Sequence, residues 1–330
     1  FFKRFFATGG RTSNGLFATL TGLPDRPMMS VLHTQEANAR VSGLGKLLKQ
    51  LNYESLFMTG SNLSFENLEP HIKRWGFDKI VDEKVIEQTG KYSKGIWGYD
   101  DADGLELFNE YLKKQSLEKP FVATYLTIST HYPYKVPDKK FEIFDSKTKD
   151  FEFLNTYHYA DYAIGEFIKN AEKEKYFENT IFVFLSDHTH HKDLNHYDDR
   201  NIPLLIYAPN RFKPEVKNTI GSQLDLIPTL LGIIGKPILF SAMGKDLFAP
   251  NPKSFAYFCF GYLYGWIDDD YFYFQNVYGI RKTISFTMKE PYIDTGDCEV
   301  SPKCKIIERT TNAFLNLPIQ LMEKNLVFPW

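Results

Sequence analysis

The sequence predicts an α/β protein, with a mainly parallel sheet and its helices over residues 1–250 and a small antiparallel sheet closed by a helix over 251–330. Three observations carry this expectation. Apolar strand-like runs alternate with helix-period segments as far as about residue 245. The run Ile181-Phe-Val-Phe-Leu185 reads as a buried strand and spills directly into Ser186-Asp-His-Thr-His-His191, at the carboxyl end where open α/β sheets place their sites. Beyond Pro252, short aromatic runs broken by Gly and Asp suggest a meander.

Within the first region, Leu16, Phe17, Leu20 and Leu23 follow a helical period that stops at Gly22-Leu-Pro24. Residues 36–51 read as a helix, 55–58 as a strand, 65–75 and 100–115 as helices. Residues 121–129 form a β-branched and aromatic strand that runs into Thr130-His-Tyr-Pro133. The longest helical pattern, 155–175, feeds strand 181–185. Strand 202–208 and helix 223–234, with Pro228 in its early turns, complete the alternation. In the second region the expected strands are 255–260, 271–274, 277–280 and 283–287, followed by a helix over 308–325.

The 330 residues, 43% hydrophobic and 16% aromatic, suffice for one large domain or two modest ones and exclude extensive disorder. A net charge of −2 with dispersed lysines leaves no basic footprint, so nucleic acid is not an expected partner. Three cysteines are too few for a disulfide scaffold. A local Cys298–Cys304 bridge in a turn-like segment fits an oxidising compartment, whereas Cys259 reads as a buried thiol. No run reaches the ~18 apolar residues of a membrane span, and no signal peptide opens the chain. The abrupt start at Phe1-Phe-Lys-Arg-Phe-Phe6 reads as the inside of a fold, so a longer parent protein is expected.

Three segments carry candidate chemistry. Gly9-Gly-Arg-Thr-Ser-Asn-Gly15 precedes a helix, where free N–H groups and the positive end of the dipole suit a phosphate and favour a Thr or Ser alkoxide. Simple capping by Thr12, Ser13 or Asn14 explains the same residues. His131 follows the strand 121–129, either as a structural imidazole or as a contact to substrate or leaving group. Asp187 and His188 offer the mixed O/N ligand set that Mn²⁺ or Zn²⁺ accepts, and the alternative is a polar loop. For His190, His191 and His196 the expectation is solvent-facing loop positions.

In this order, the segments resemble phosphoglycerol transferases of the lipoteichoic acid synthase type, members of the alkaline phosphatase/sulfatase superfamily. The matching stretches are Phe5–Leu20 with Gly22-Leu-Pro24, Trp75-Gly-Phe-Asp-Lys79, Ser129-Thr-His-Tyr-Pro133 and Tyr159-Ala-Asp-Tyr162. Ser186-Asp-His188, Ile202-Pro-Leu-Leu-Ile-Tyr-Ala-Pro209 and Ser222-Gln-Leu-Asp-Leu-Ile-Pro-Thr229 continue the series, and the likeness covers about residues 5–245. It implies an alkaline phosphatase-like three-layer sandwich. It makes Thr12 the nucleophile, Thr12, Asp187 and His188 the ligands of one divalent ion, and His131 a neighbour of the transferred head group. The ion expected first is Mn²⁺, with Zn²⁺ or Mg²⁺ as alternatives. Arg11 either offsets phosphate charge or lies at the surface, and Asn67 either contacts substrate or caps a helix.

The implied reaction moves a phospholipid head group through a phospho-threonine to a glycan or lipid acceptor. The implied setting is the cell membrane, with a membrane-anchored full-length protein whose catalytic domain faces the periplasm or exterior. Two departures stand out. The family's further metal ligand, a Glu ending an earlier strand, is expected upstream of Phe1. The Asp, Trp and Arg that contact glycerophosphate in Gram-positive members are replaced by Ser61, Glu66 and Leu68. The rival readings are a phosphoethanolamine transferase or phosphodiesterase on the same scaffold, or an inactive envelope-binding homologue. A sulfatase is disfavoured because no Cys/Ser-x-Pro-x-Arg stretch occurs near Thr12.

Overall fold

The computed structural model describes residues 1–115, 119–279, 281–285, 293–296 and 302–328. The chain divides into two compact units, residues 1–47 with 181–330 and residues 48–180. In chain order the elements are β1 (Phe2–Phe6), α1 (Thr12–Thr21), α2 (Leu44–Gln50), β2 (Glu54–Thr59), α3 (Leu68–Arg74), β3 (Lys79–Val81) and α4 (Glu83–Glu87). Then come α5 (Asp101–Gln115), β4 (Phe121–Leu126), α6 (Phe151–Ala171), β5 (Phe182–Leu185), β6 (Asn201–Tyr207), β7 (Gly221–Ser222) and α7 (Leu226–Ile234). The chain continues through β8 (Phe255–Phe260), β9 (Leu263–Asp268), β10 (Tyr271–Asn276), β11 (Arg281–Ser285), β12 (Ile293–Gly296) and α8 (Pro302–Glu323).

In the first unit, β1 lies inside a four-stranded sheet of order β5-β6-β1-β7. It runs parallel to β7 and antiparallel to β6. The reversal at β6 has a simple cause: the 186–200 connection from β5 contains no helix, and a parallel return requires a crossover. Phe2, Phe5, Ile202, Leu204 and Leu247 form one core cluster around β1. The aromatic runs beyond residue 252 form the expected antiparallel sheet, of order β12-β11-β10-β9-β8. Helix α8 lies against it, with Ile307 and Phe314 packed among Tyr257, Tyr264 and Trp266.

Several expected boundaries move, each for a tertiary reason. The helix expected over 36–51 is a 3-10 turn at Gln35–Asn38 followed by α2. Between them Ala39 is extended, and the Arg40 N–H donates to the Asn325 side chain rather than to a helical carbonyl. Val277, Tyr278 and Gly279 form a turn instead of a strand, with the Tyr278 N–H donating to Asn276 Oδ1 and Gly279 at φ 88°. Cys304 is buried on α8, and its expected partner Cys298 lies outside the described residues.

The second unit carries the parallel sheet β3-β2-β4, whose strands alternate with helices as the periodicity requires. Strand β4 stops at Leu126, short of Ser129. The Ile128 and Ser129 N–H groups donate to the Asp101 carboxylate at 2.8 and 2.9 Å in place of a strand ladder. The helix expected over 65–75 is broken, because Glu66 and Asn67 have positive φ (51° and 54°) before α3 begins. Gly165 in the middle of α6 faces open space within 4 Å. Gly165→Ala is therefore expected to stabilise the protein by about 0.5–1 kcal/mol, read as a raised melting temperature.

Candidate active site

The site is built where β1 and β5 end. After β1 the chain is fixed at Thr8, whose N–H donates to Gln223 Oε1 (2.9 Å) and whose carbonyl accepts from the Cys259 N–H (2.7 Å). A Cβ on Gly10 would stand 1.8 Å from the Phe260 ring, so a larger residue there would have to displace that ring. Arg11 is the N-cap of α1 with extended φ/ψ and makes no side-chain cap bond. Asn14 donates to Asp25 Oδ2 at 2.7 Å instead of capping. Asp25 is buried, and burial raises its pKa although Ser30, Val31, Asn14 and Arg26 donate to it. Thr12 opens the helix half-buried, at the end where N–H groups and the dipole favour an anion.

The partner of this turn is the end of β5. A Cβ built on Gly15 would lie 2.4 Å from the Asp187 carbonyl oxygen and 2.9 Å from its Cα. The first turn of α1 therefore rests directly on the backbone of Asp187. Gln223, fully buried, completes the junction: Nε2 donates to the carbonyls of Ser186 (3.0 Å) and Asp187 (2.7 Å) while Oε1 holds Thr8. One side chain thus ties the ends of β1 and β5. In sequence its segment reads as a helix start and as one of the stretches of the family resemblance, but a lone Gln carries no chemical signature of this role. Gln223→Leu leaves a buried N–H and carbonyls without partners, at a cost of about 2–4 kcal/mol. A drop in the urea midpoint, with loss of activity, is the expected result.

Asp187 Oδ1 accepts from the His188 N–H (2.9 Å), and Oδ2 lies 3.5 Å from His188 Nε2. His188 Nδ1 lies 2.6 Å from the Thr189 carbonyl oxygen, so Nδ1 donates to that carbonyl and Nε2 faces the carboxylate. The His188 ring stacks on His191 with centroids 5.2 Å apart. His191 lies in an exposed loop, as expected, and is nonetheless hydrogen-bonded. Its Nδ1 meets Asp199 Oδ1 at 2.7 Å and its Nε2 meets the Gly10 carbonyl oxygen at 3.0 Å. Burial pulls its pKa down, but these two acceptors outweigh that and leave it raised. His191 thereby links the loop after β5 to the turn before Thr12. His190 and His196 are exposed, as expected, the His196 ring lying beside that of Phe274.

The donor set fits a divalent ion. Two ligands at 2.0–2.1 Å in tetrahedral geometry stand about 3.4 Å apart, close to the observed 3.5 Å between Asp187 Oδ2 and His188 Nε2. A backbone carbonyl that fixes the imidazole tautomer is the usual outer support of a ligating histidine. Among the described residues, no group of three or more His, Cys, Asp or Glu side chains is arranged to hold a metal.

His131 and Asn67 belong to the second unit. His131 is exposed after β4, its ring 5.1 Å from that of Trp97. Asn67 is exposed at the N-cap of α3 and makes no side-chain cap bond, so the capping alternative is not realised. Arg11 is exposed.

An α/β fold of this kind, with a helix-opening hydroxyl set against a strand-end carboxylate and imidazole, defines the alkaline phosphatase-like class. Residues 1–236 match the family model described as Sulfatase, and the chain belongs to that family. It is similar to a protein in the alkaline phosphatase superfamily from Vibrio parahaemolyticus, with a TM-score of 0.87 and 26% identity over 100% of this chain and 80% of that one. The lipoteichoic acid synthase LtaP from Listeria monocytogenes shares the fold, with a TM-score of 0.79 and 18% identity over 97% and 82%. In sequence, the chain is 27% identical over 326 residues to the lipoteichoic acid synthase-like YvgJ of Bacillus subtilis, covering 90% of this chain and 52% of that protein. It is also 27% identical over 257 residues to phosphoglycerol transferase I of Xanthomonas axonopodis pv. citri, covering 73% and 36%. The chain thus spans about half or less of the length of these curated relatives.

Proposed function

We propose that residues 1–250 form the catalytic domain, and 251–330 a C-terminal subdomain, of an enzyme that transfers a phospholipid head group of the phosphoglycerol type. The observation that supports this most is the Gly15–Asp187 approach, which sets the helix opening at Thr12 against the loop bearing Asp187 and His188. In the first half-reaction the Thr12 Oγ–phosphorus bond forms and the bond from phosphorus to the diacylglycerol oxygen breaks. The Thr12 proton is lost and diacylglycerol leaves protonated. In the second, a hydroxyl of a glycan or lipid acceptor attacks phosphorus and loses its proton, and the Oγ–phosphorus bond breaks as Oγ takes up a proton to regenerate the Thr12 hydroxyl.

The free N–H groups at the start of α1 hold the phosphoryl oxygens, Arg11 offsets their charge, and His131 and Asn67 serve head-group recognition. Asp187, His188 and the Thr12 hydroxyl would hold a divalent ion, Mn²⁺ before Zn²⁺ or Mg²⁺, which would supply positive charge to polarise the phosphoryl group and lower the hydroxyl pKa. The reaction belongs on the outer side of the cell membrane, with the full-length protein anchored there. Among the described residues no helix is long and apolar enough to span a membrane.

A phosphoethanolamine transferase or phosphodiesterase is the second reading, favoured by Ser61, Glu66 and Leu68 at the head-group positions. Incubating the full-length protein with phosphatidylglycerol, phosphatidylethanolamine and phosphatidylcholine, each with and without an acceptor sugar, tests both. The proposal expects diacylglycerol release chiefly from phosphatidylglycerol, coupled to phosphoglycerol on the acceptor. Preferred release from phosphatidylethanolamine supports the second reading, and release that ignores acceptor supports a phosphodiesterase.

A further inference from the structure

The stretches Ser129-Thr-His-Tyr-Pro133 and Tyr159-Ala-Asp-Tyr162 meet in the second unit around one side chain that no step above employs. Asp101, the first residue of α5, is fully buried. Its Oδ1 accepts from the Ile128 N–H at 2.8 Å and its Oδ2 from the Ser129 N–H at 2.9 Å. The Asp101 N–H in turn donates to Ser129 Oγ at 3.0 Å. Burial raises the carboxyl pKa to about 6 despite these bonds. Burying a carboxylate is costly, and the feature that offsets the cost is a pair of adjacent backbone donors that only a two-oxygen acceptor matches.

The anchored residues lead straight to His131. The His131 N–H donates to the Ile128 carbonyl at 3.2 Å, closing a turn that starts on the anchored residue. The other side of this loop is held by Trp97, whose Nε1–H donates to the Tyr132 carbonyl at 2.5 Å and whose ring lies against His131. Asp101 is itself immobilised. Tyr159, 1% exposed, donates its hydroxyl to Asp100 and accepts from the Ala102 N–H at 3.2 Å, fixing the start of α5 from α6.

We propose that Asp101 is a positioning residue for His131: its carboxylate, carried on a helix start that Tyr159 holds through Asp100 and Ala102, fixes the Ile128–Ser129 backbone and so sets where the imidazole stands. This rests on the reading of His131 as a head-group contact. A carboxylate that merely filled a core would affect stability alone, whereas a positioning residue acts through the histidine.

A double-mutant cycle on the full-length protein separates the two. Asp101→Asn keeps the shape but loses one of the two acceptors, and Ser129→Ala removes the hydroxyl that accepts from the Asp101 N–H and donates to its carboxylate while leaving both backbone bonds in place. Both are expected to speed amide exchange at 128–129 about ten-fold, to shift the Trp97 indole N–H resonance, and to lower kcat about ten-fold or more. Neither should lower kcat further in a His131→Ala background. Wild-type kcat in Asp101→Asn, or losses that multiply with His131→Ala, overturns the inference. If Asp101→Asn does not fold, Ser129→Ala decides by the same criteria. Should His131→Ala alone turn over at the wild-type rate, it is the reading of His131 that fails.

Discussion

Thr12→Ala is expected to lower kcat at least about 10³-fold while leaving the melting temperature nearly unchanged. The size follows from removing the atom that bonds to phosphorus, because deleting a nucleophile leaves only what substrate binding and anion stabilisation supply. The mild effect on folding follows from the structure. Thr12 is half-buried, and the N-cap of its helix is Arg11, which makes no side-chain cap bond. Alanine is also the best helix former. Thr12→Ser keeps a hydroxyl at the same helix position and should retain activity within about 100-fold of wild type. Steady-state release of diacylglycerol, with melting curves as the folding control, checks both. Turnover of Thr12→Ala within ten-fold of wild type contradicts the assignment.

Gly15→Ala should be nearly as damaging, although alanine ordinarily stabilises a helix. Its Cβ would stand 2.4 Å from the Asp187 carbonyl oxygen, well inside contact distance, and the obstacle is backbone that cannot rotate away. Either α1 lifts or the loop after β5 retreats, at a cost of about 1–3 kcal/mol. The reacting groups then separate, and a displacement near 1 Å costs about 10²-fold in rate. Gly165→Ala is the matched control, because there the same methyl meets open space. The pair should move in opposite directions in melting temperature, and only Gly15→Ala should lose activity. A stabilised, active Gly15→Ala protein contradicts the packing on which the site rests.

The elements legible in the sequence were those whose period matched their burial. Strand β5 and helix α5 stand nearly where the sequence placed them, β5 on an apolar run and α5 because its periodic Leu105, Phe108 and Leu112 are buried. Boundaries failed where a tertiary bond replaced a local one. The Asp101 carboxylate ends β4 early, and Asn325 claims the Arg40 N–H where a helix was expected. The short strands β3 and β7 carry too few residues for a periodic signal.

The residues proposed for the chemistry can be picked out in the sequence, and the contacts that surround them cannot. Thr12, Asp187 and His188 announce themselves by type and by position at a helix start and a strand end. Gln223, His191 and Gly15, which hold those groups in place, do so through contacts with residues far away in sequence. No spacing rule reveals such contacts. Gly15 is the instructive case, since a glycine inside a helix reads locally as a defect and is in fact the contact surface.

The central claim is that the Thr12 hydroxyl carries the phosphoryl group during turnover. Mixing the full-length protein with its donor phospholipid in the absence of acceptor, quenching in acid and sequencing the peptides by mass spectrometry tests this most directly. A phosphoglycerol adduct on Thr12, appearing with diacylglycerol and vanishing on addition of acceptor, is the result predicted. An adduct on another residue, or steady turnover with Thr12 unmodified and replaceable, contradicts the account.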